Sequence, residues 1–145
     1  MNSTKQISYT LDQLPQVAQQ IVALTKQYPI IAISGTLGAG KTTLVQAVLN
    51  QLGITGVLTS PTFNYVNIYQ SADKTIYHFD LYRIKSVQEF LVAGFDEYIF
   101  DPQGISIIEW PEVIAPLLTK NCCFITIDYD GPDARMMTIS IKGAQ

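Results

Sequence analysis

Residues Gly35-Thr36-Leu37-Gly38-Ala39-Gly40-Lys41-Thr42-Thr43 fit the phosphate-loop pattern G-x-x-x-x-G-K-T, and the chemistry they suggest is that of a nucleoside triphosphate. The glycines of such a loop permit backbone angles that a Cβ forbids, so successive N–H groups can curl round a β-phosphate as a nest of partial positive charge. In that arrangement Lys41 reaches the β- and γ-phosphates, and the Thr42 hydroxyl is placed to ligate Mg2+. A second concentration of functional groups is His78-Phe79-Asp80-Leu81-Tyr82-Arg83, with four charged or polar-tipped side chains in six residues. Its plain alternative is an exposed Asp80–Arg83 ion pair with His78 packed at a strand edge. A third is Glu109-Trp110-Pro111-Glu112. An acid there could share an octahedral Mg2+ shell with Thr42, phosphate and water, or act on the attacking water. The alternative is a solvated strand end beside a Trp110 that caps the core.

These groups need elements to hold them. Ile30-Ile31-Ala32-Ile33 is an unbroken apolar run, which suits a strand buried on both faces of a parallel sheet. Leu44, Val45, Val48, Leu49 and Leu52 follow helical spacing until Gly53 offers a stop. Strand, glycine loop and helix in that order are the context a phosphate loop requires, with the helix dipole aimed at the anion. Upstream, Asp12 is the expected N-cap of a helix with Pro15 in its first turn and an apolar stripe of Leu14, Val17, Ala18, Ile21 and Leu24. Tyr28-Pro29 is expected to end it. Tyr65 to Tyr69 and Thr75 to Leu81, either side of Ser71-Ala72-Asp73-Lys74, read as an antiparallel hairpin. Ser86-Val87-Gln88-Glu89 reads as a capping box opening a helix that carries Phe90, Leu91 and Phe95 inward. Ile105 to Ile108 is a further apolar strand that delivers Glu109 at its C-terminal end, where parallel α/β sheets place ligands. Cys123, Ile125 and Ile127 alternate on one face of another strand, which turns at Asp130-Gly131-Pro132-Asp133 and returns through Arg135 to Ile141. The fold class expected is α/β: residues 1–145 as a single P-loop NTPase domain, a mostly parallel central sheet flanked by helices, plus antiparallel hairpin strands.

Composition narrows the function. At 145 residues the chain can bury roughly two-thirds of its unfolded surface. A net charge of −3 argues against a large basic footprint for gripping nucleic acid directly, so any RNA role is shared with a partner. No signal peptide or run of membrane-spanning length is read, and a soluble cytoplasmic protein is expected. Cys122 and Cys123 point to opposite faces of their strand, which disfavours a mutual bond and leaves buried reduced thiols as the expectation.

Taken together, the phosphate loop, Ser60-Pro61-Thr62-Phe63, His78 to Arg83 and Ile108-Glu109-Trp110-Pro111 resemble the bacterial TsaE family, also called YjeE. The resemblance spans most of the chain. It implies an ATPase using ATP and Mg2+ that works with TsaD and TsaB, and indirectly with tRNA. The assembly installs threonylcarbamoyl on the adenosine beside the anticodon of tRNAs reading codons that begin with A. Residue by residue, it implies that Lys41 and the backbone of Gly38, Ala39, Gly40, Thr42 and Thr43 hold the phosphates, and that Thr42 and Glu109 hold Mg2+. It puts Asp80 beside the γ-phosphate or its water, Leu11 near the adenine, and Arg135 within reach of the nucleotide. Lys41, Asp80 and Glu109 are then the catalytic set. Where the family usually has Asp after the first loop glycine, this chain has Thr36.

Two rival readings use the same loop. A small-molecule or nucleotide kinase usually needs several phosphate-binding arginines from a lid, and this chain has only Arg83 and Arg135. A nucleotide-gated binding module would use ATP to order a surface, with hydrolysis incidental. GTP specificity is unsupported, because no N-K-x-D run is present to read guanine.

Overall fold

The apolar run at Ile30 to Ile33 lies in the middle of a seven-stranded sheet in the computed structural model, which describes residues 3–36, 38–55 and 65–141. The strands are β1 (Ser3–Thr10), β2 (Ile30–Gly35), β3 (Val66–Ser71), β4 (Lys74–Asp80), β5 (Gly104–Glu109), β6 (Cys122–Tyr129) and β7 (Ala134–Ile141). Their spatial order is β1-β7-β6-β2-β5-β4-β3. The helices are α1 (Leu14–Leu24), α2 (Lys41–Gln51), α3 (Val87–Val92) and α4 (Asp96–Ile99).

The sheet is not mostly parallel. Only β6, β2, β5 and β4 run parallel to one another, while β3 on one side and β7 and β1 on the other pair antiparallel, and the two longest ladders, β1–β7 and β6–β7, are antiparallel. The cause lies in the connections. A parallel pair needs a crossover of a dozen or more residues, and the links between β3 and β4 and between β6 and β7 are too short for anything but hairpins. Both hairpins expected from the sequence are present. The strand β1 is an addition that sequence patterning did not offer: it pairs with β7 from Ser3↔Ile141 to Thr10↔Ala134.

Because strand side chains alternate, the central strands feed two cores. Ile31, Ile33, Ile107, Ile125 and Ile127 pack with Val17, Ala18 and Ile21 of α1 and with Leu44, Val45 and Val48 of α2. Ile30, Ala32, Ile108 and Phe79 pack on the other face with Phe90 of α3, Ile99 of α4 and Ile114 of the 3-10 segment Pro111–Leu117. Each fully buried isoleucine contributes about 1.5–3 kcal/mol, so both faces are firmly held.

Two local expectations need correction. Helical winding begins before α1, in a 3-10 turn at Leu11–Gln13 capped by Thr10, whose N–H donates to Gln13 Oε1 at 2.9 Å. Asp12 therefore lies inside the turn and is not the cap, although Pro15 does fall in the first turn of α1. On α3, Ser86 Oγ accepts from Glu89 N at 3.0 Å as expected, and Phe90 is buried, but Leu91 is 42% exposed. Adjacent helical residues diverge by about 100°, and a helix of six residues presents one of them inward. Phe95 packs against the same core after a turn at Gly94, whose φ is 80°. Cys122 and Cys123 are both free and buried, and burial pushes their thiols up to about 12 and about 11. Among the described residues no helix is long and apolar enough to cross a membrane.

Candidate functional site

The strand β2 ends at Gly35, and the chain passes through Gly38 to Gly40, which caps α2 with a φ of 99°. A side chain would be strained at that left-handed angle. Lys41, the first residue of α2, is only 5% exposed. Its ammonium is held from three directions: Nζ donates to Gly35 O at 2.6 Å and Thr36 O at 3.1 Å, and lies 3.9 Å from the centroid of the Trp110 ring. Burial pushes its pKa down, and the charges of Glu109, Glu112 and Asp80 oppose that shift. Trp110 itself sits at a left-handed φ of 58°, directly after β5, and Tyr82 packs on its ring at 4.9 Å between centroids.

Parallel pairing of β4 with β5 sets Asp80 beside Glu109 and places His78 two residues earlier on the same face. That face is the one covered by α2. Glu109, 1% exposed, spans the gap: Oε1 accepts from Thr42 Oγ1 at 3.0 Å, and Oε2 lies 2.7 Å from His78 Nε2. His78 is therefore buried within the sheet, not packed at its edge. Asp80 Oδ1 accepts from Tyr82 N at 3.1 Å instead of folding back on the exposed Arg83. Burial raises the Asp80 pKa and the Glu109 charge adds to it, while the Tyr82 hydrogen bond, His78 and Lys41 work the other way.

The pair Thr42–Glu109 fits a magnesium ion. Octahedral Mg2+ with bonds near 2.1 Å puts neighbouring ligand oxygens about 3.0 Å apart, and Thr42 Oγ1 and Glu109 Oε1 stand at that separation. Among the described residues there is no cluster of three or more His, Cys, Asp or Glu side chains able to cage a metal. Two hard oxygens suit an ion that arrives with phosphate and water as its remaining ligands.

Two concavities flank the loop and share Gly38, Gly40 and Thr43. One, of about 380 Å3, adds Lys41, Thr42, Asp80, Tyr82, Glu109 and Trp110. The other, of about 390 Å3, includes Leu11, Ala39 and Arg135 together with Tyr9, Leu14, Pro132 and Asp133. Leu11, Gly38, Ala39, Gly40, Lys41, Thr42, Thr43, Asp80, Glu109 and Arg135 thus each line one of the two, whereas His78, Arg83 and Glu112 line neither. The block Ser60-Pro61-Thr62-Phe63 lies outside the described residues.

Sequence reasoning missed Tyr9, which lines the second concavity, and Tyr129, which bonds to the loop beside it. Tyr129 OH donates to Gly38 O at 3.0 Å, and Arg135 Nε donates to Ala39 O at 3.2 Å, with the guanidinium 4.4 Å from the Tyr129 ring centroid. The C-terminal hairpin therefore braces the loop from outside. The register Tyr9↔Arg135 brings Tyr9 alongside, where burial raises its pKa against the opposing charge of Arg135. No short motif marks either tyrosine: Tyr9 is brought there by the long-range β1–β7 ladder, and Tyr129 reaches Gly38 from the β6–β7 hairpin, 91 residues along the chain.

Comparison with known proteins agrees with this geometry. Residues 8–137 match the model of the family described as threonylcarbamoyl adenosine biosynthesis protein TsaE. A Bacillus subtilis protein named tRNA threonylcarbamoyladenosine biosynthesis protein TsaE is 34% identical over 132 residues, covering 91% of this chain and 82% of that one. A Rickettsia felis protein of the same name is 32% identical, covering 92% and 78%. The crystal structure of Bacillus subtilis YdiB superposes with a TM-score of 0.73 at 28% identity, covering 99% of this chain and 88% of that chain.

Proposed function

The chain belongs to the TsaE family, and we propose that it acts there as a Mg2+-dependent ATPase supporting threonylcarbamoyl modification of tRNA. The modified base is the adenosine beside the anticodon in tRNAs reading codons that begin with A, and the working unit is an assembly with TsaD- and TsaB-type proteins. The observation that carries the reading is the Thr42 Oγ1–Glu109 Oε1 pair at 3.0 Å, at the mouth of a glycine loop whose lysine follows directly. A structural glycine turn has no need of a buried acid facing the hydroxyl after its lysine.

The two concavities divide the nucleotide between them. Tyr9, Leu11, Leu14 and Pro132 offer an apolar lining for adenine, and Arg135 stands beside them within reach of the ribose or phosphates. Backbone N–H groups from Gly38 to Thr43, at the N-terminus of α2, take the phosphates. Lys41 exchanges its carbonyl partners at Gly35 and Thr36 for β- and γ-phosphate oxygens. Thr42 and Glu109 would hold Mg2+, which when bound neutralises charge on those oxygens. Asp80, which lines the same concavity, orients the attacking water. Hydrolysis then gives ADP and inorganic phosphate.

No arginine is aimed at the γ-phosphate side: Arg83 is exposed and Arg135 is engaged with Ala39 O and Ala134 O across the loop. Turnover is therefore slow in the isolated protein, and a partner supplies the missing positive charge, worth about 10³–10⁵ in rate. The test of the site is calorimetric titration with ATP and with GTP, each with and without Mg2+, on wild type and Thr42→Ala. ATP should bind better than GTP and gain at least about tenfold from Mg2+ in wild type only. Equal ATP affinity with and without Mg2+ in both proteins would contradict the reading.

A further inference from the structure

Glu109 spends both carboxylate oxygens, one on Thr42 and the other on His78. The second contact is the deeper one, since the side chains of His78 and Glu109 are each 2% exposed. Water has little access there to replace a lost donor. A carboxylate offers only acceptors, so the facing Nε2 must carry hydrogen and donate it. The other ring nitrogen, Nδ1, is buried without a hydrogen-bond partner among the described residues. Hydrogen on Nε2 alone leaves an unpaired acceptor at Nδ1 rather than a stranded N–H.

This geometry does more than fill space. The terminal torsion of a glutamate is broad and roughly two-fold, so an untethered Glu109 carboxylate would rotate freely at the strand end. His78 is fixed by β3 on one side and β5 on the other, through the register Asn67↔His78↔Ile107. We propose that His78 is a positioning residue, whose Nε2–H pins Glu109 Oε2 so that Oε1 stays turned toward Thr42 and the metal they would share. The inference rests on the metal reading of Thr42 and Glu109 given above. Groups that orient a metal ligand from behind typically matter by 10–100-fold in metal affinity.

His78 is the only histidine in the chain, so its ring nitrogens can be read without assignment. A long-range 1H–15N spectrum of labelled protein should show hydrogen on Nε2, and hydrogen on Nδ1 alone would overturn the proposal. The functional arm measures binding of the non-hydrolysable analogue AMP-PNP with and without Mn2+, for wild type, His78→Phe, His78→Gln and Thr42→Ala. Gln carries its amide nitrogen the same number of bonds from Cα as Nε2, whereas Asn reaches only the Nδ1 position. His78→Phe should lose about 10–100-fold of the Mn2+-dependent gain while binding metal-free analogue as wild type does. His78→Gln should stay within about threefold of wild type, a rescue that a merely space-filling role would not give. If His78→Phe lacks a cooperative unfolding transition, His78→Asn replaces it and should lose the gain that Gln keeps. Should wild type and His78→Phe gain equally from Mn2+, the positioning role is overturned and the metal reading survives. Should wild type gain no more than Thr42→Ala, the metal reading falls and takes this inference with it.

Discussion

Gly35 is the residue at which the sheet hands the chain to the loop, and adding one methyl group there has a calculable effect. Its φ is 153°, and an ideal Cβ would stand 2.5 Å from the carbonyl oxygen of Ile127 on β6. That oxygen is backbone in the β2–β6 ladder, where Gly35 pairs with Ile127, so it cannot swing away as a side chain would. Relief to the 3.0 Å floor of real Cβ contacts needs a shift of about 0.5 Å in the end of β2. Overpacking of this kind costs about 1–3 kcal/mol, and the unfavourable backbone angle adds about 1–2 kcal/mol. Gly35→Ala should therefore melt about 6–15 °C below wild type, at roughly 3 °C per kcal/mol for a chain of this size. Gly131→Ala is the control, with a positive φ of 76° and open space around its Cβ, so it carries only the backbone penalty. Because Gly35 O also holds Lys41 Nζ at 2.6 Å, the same shift should misplace the lysine and lower turnover about 10–100-fold. Differential scanning calorimetry and an ATP turnover assay measure both effects. A Gly35→Ala protein that melts within about 2 °C of Gly131→Ala would refute the steric reasoning.

Three further outcomes follow from the same geometry. Asp80→Asn should abolish turnover yet melt above wild type at pH 7, because burial raises the carboxyl pKa and the ionised form is the costly one. With the folded value raised, the Asp80 carboxyl favours the fold below its unfolded value of 3.8 and loses that contribution as pH rises through the folded value. The advantage of Asn should therefore vanish as pH falls toward 3.8, and an advantage independent of pH would contradict the cause given. Tyr129→Phe removes the donor to Gly38 O while keeping the ring under Arg135, so ATP affinity should fall about two- to fivefold with little change in melting temperature. Thiols pushed up to about 12 and about 11 by burial should leave Cys122 and Cys123 unreactive toward iodoacetamide in the native protein at pH 8, with both labelling promptly in urea. Labelling of the folded protein at the urea rate would show that β6 opens far more easily than its packing implies.

What the sequence made legible was local. The phosphate loop, the strand before it, the helix after it and the acid at the end of β5 are each signalled within about ten residues by apolar runs, glycines and caps. Both hairpins were readable for the same reason, since their turns lie between adjacent β-rich runs. What remained hidden depends on partners distant in the chain. The strand β1 reads as mostly polar because it is an edge strand with one fully buried side chain, Tyr9, and only its ladder with β7 gives it a place. The brace of Tyr129 and Arg135 on Gly38 and Ala39 likewise joins residues more than ninety positions apart. His78 was visible as part of a dense motif, but its contact with Glu109 needed the β4–β5 register. Leu91 was misplaced because a six-residue helix is too short for periodicity to choose between neighbours.

The most direct test of the ATPase proposal is steady-state ATP hydrolysis by the purified protein, alone and with TsaD, TsaB and tRNA, for wild type, Thr42→Ala and Asp80→Ala. Wild type alone should turn over well below about 10 s⁻¹ and rise at least about tenfold in the assembly, with both variants losing the stimulated rate. ATP that binds tightly but is hydrolysed under neither condition would contradict the account and leave a nucleotide-gated assembly module in its place.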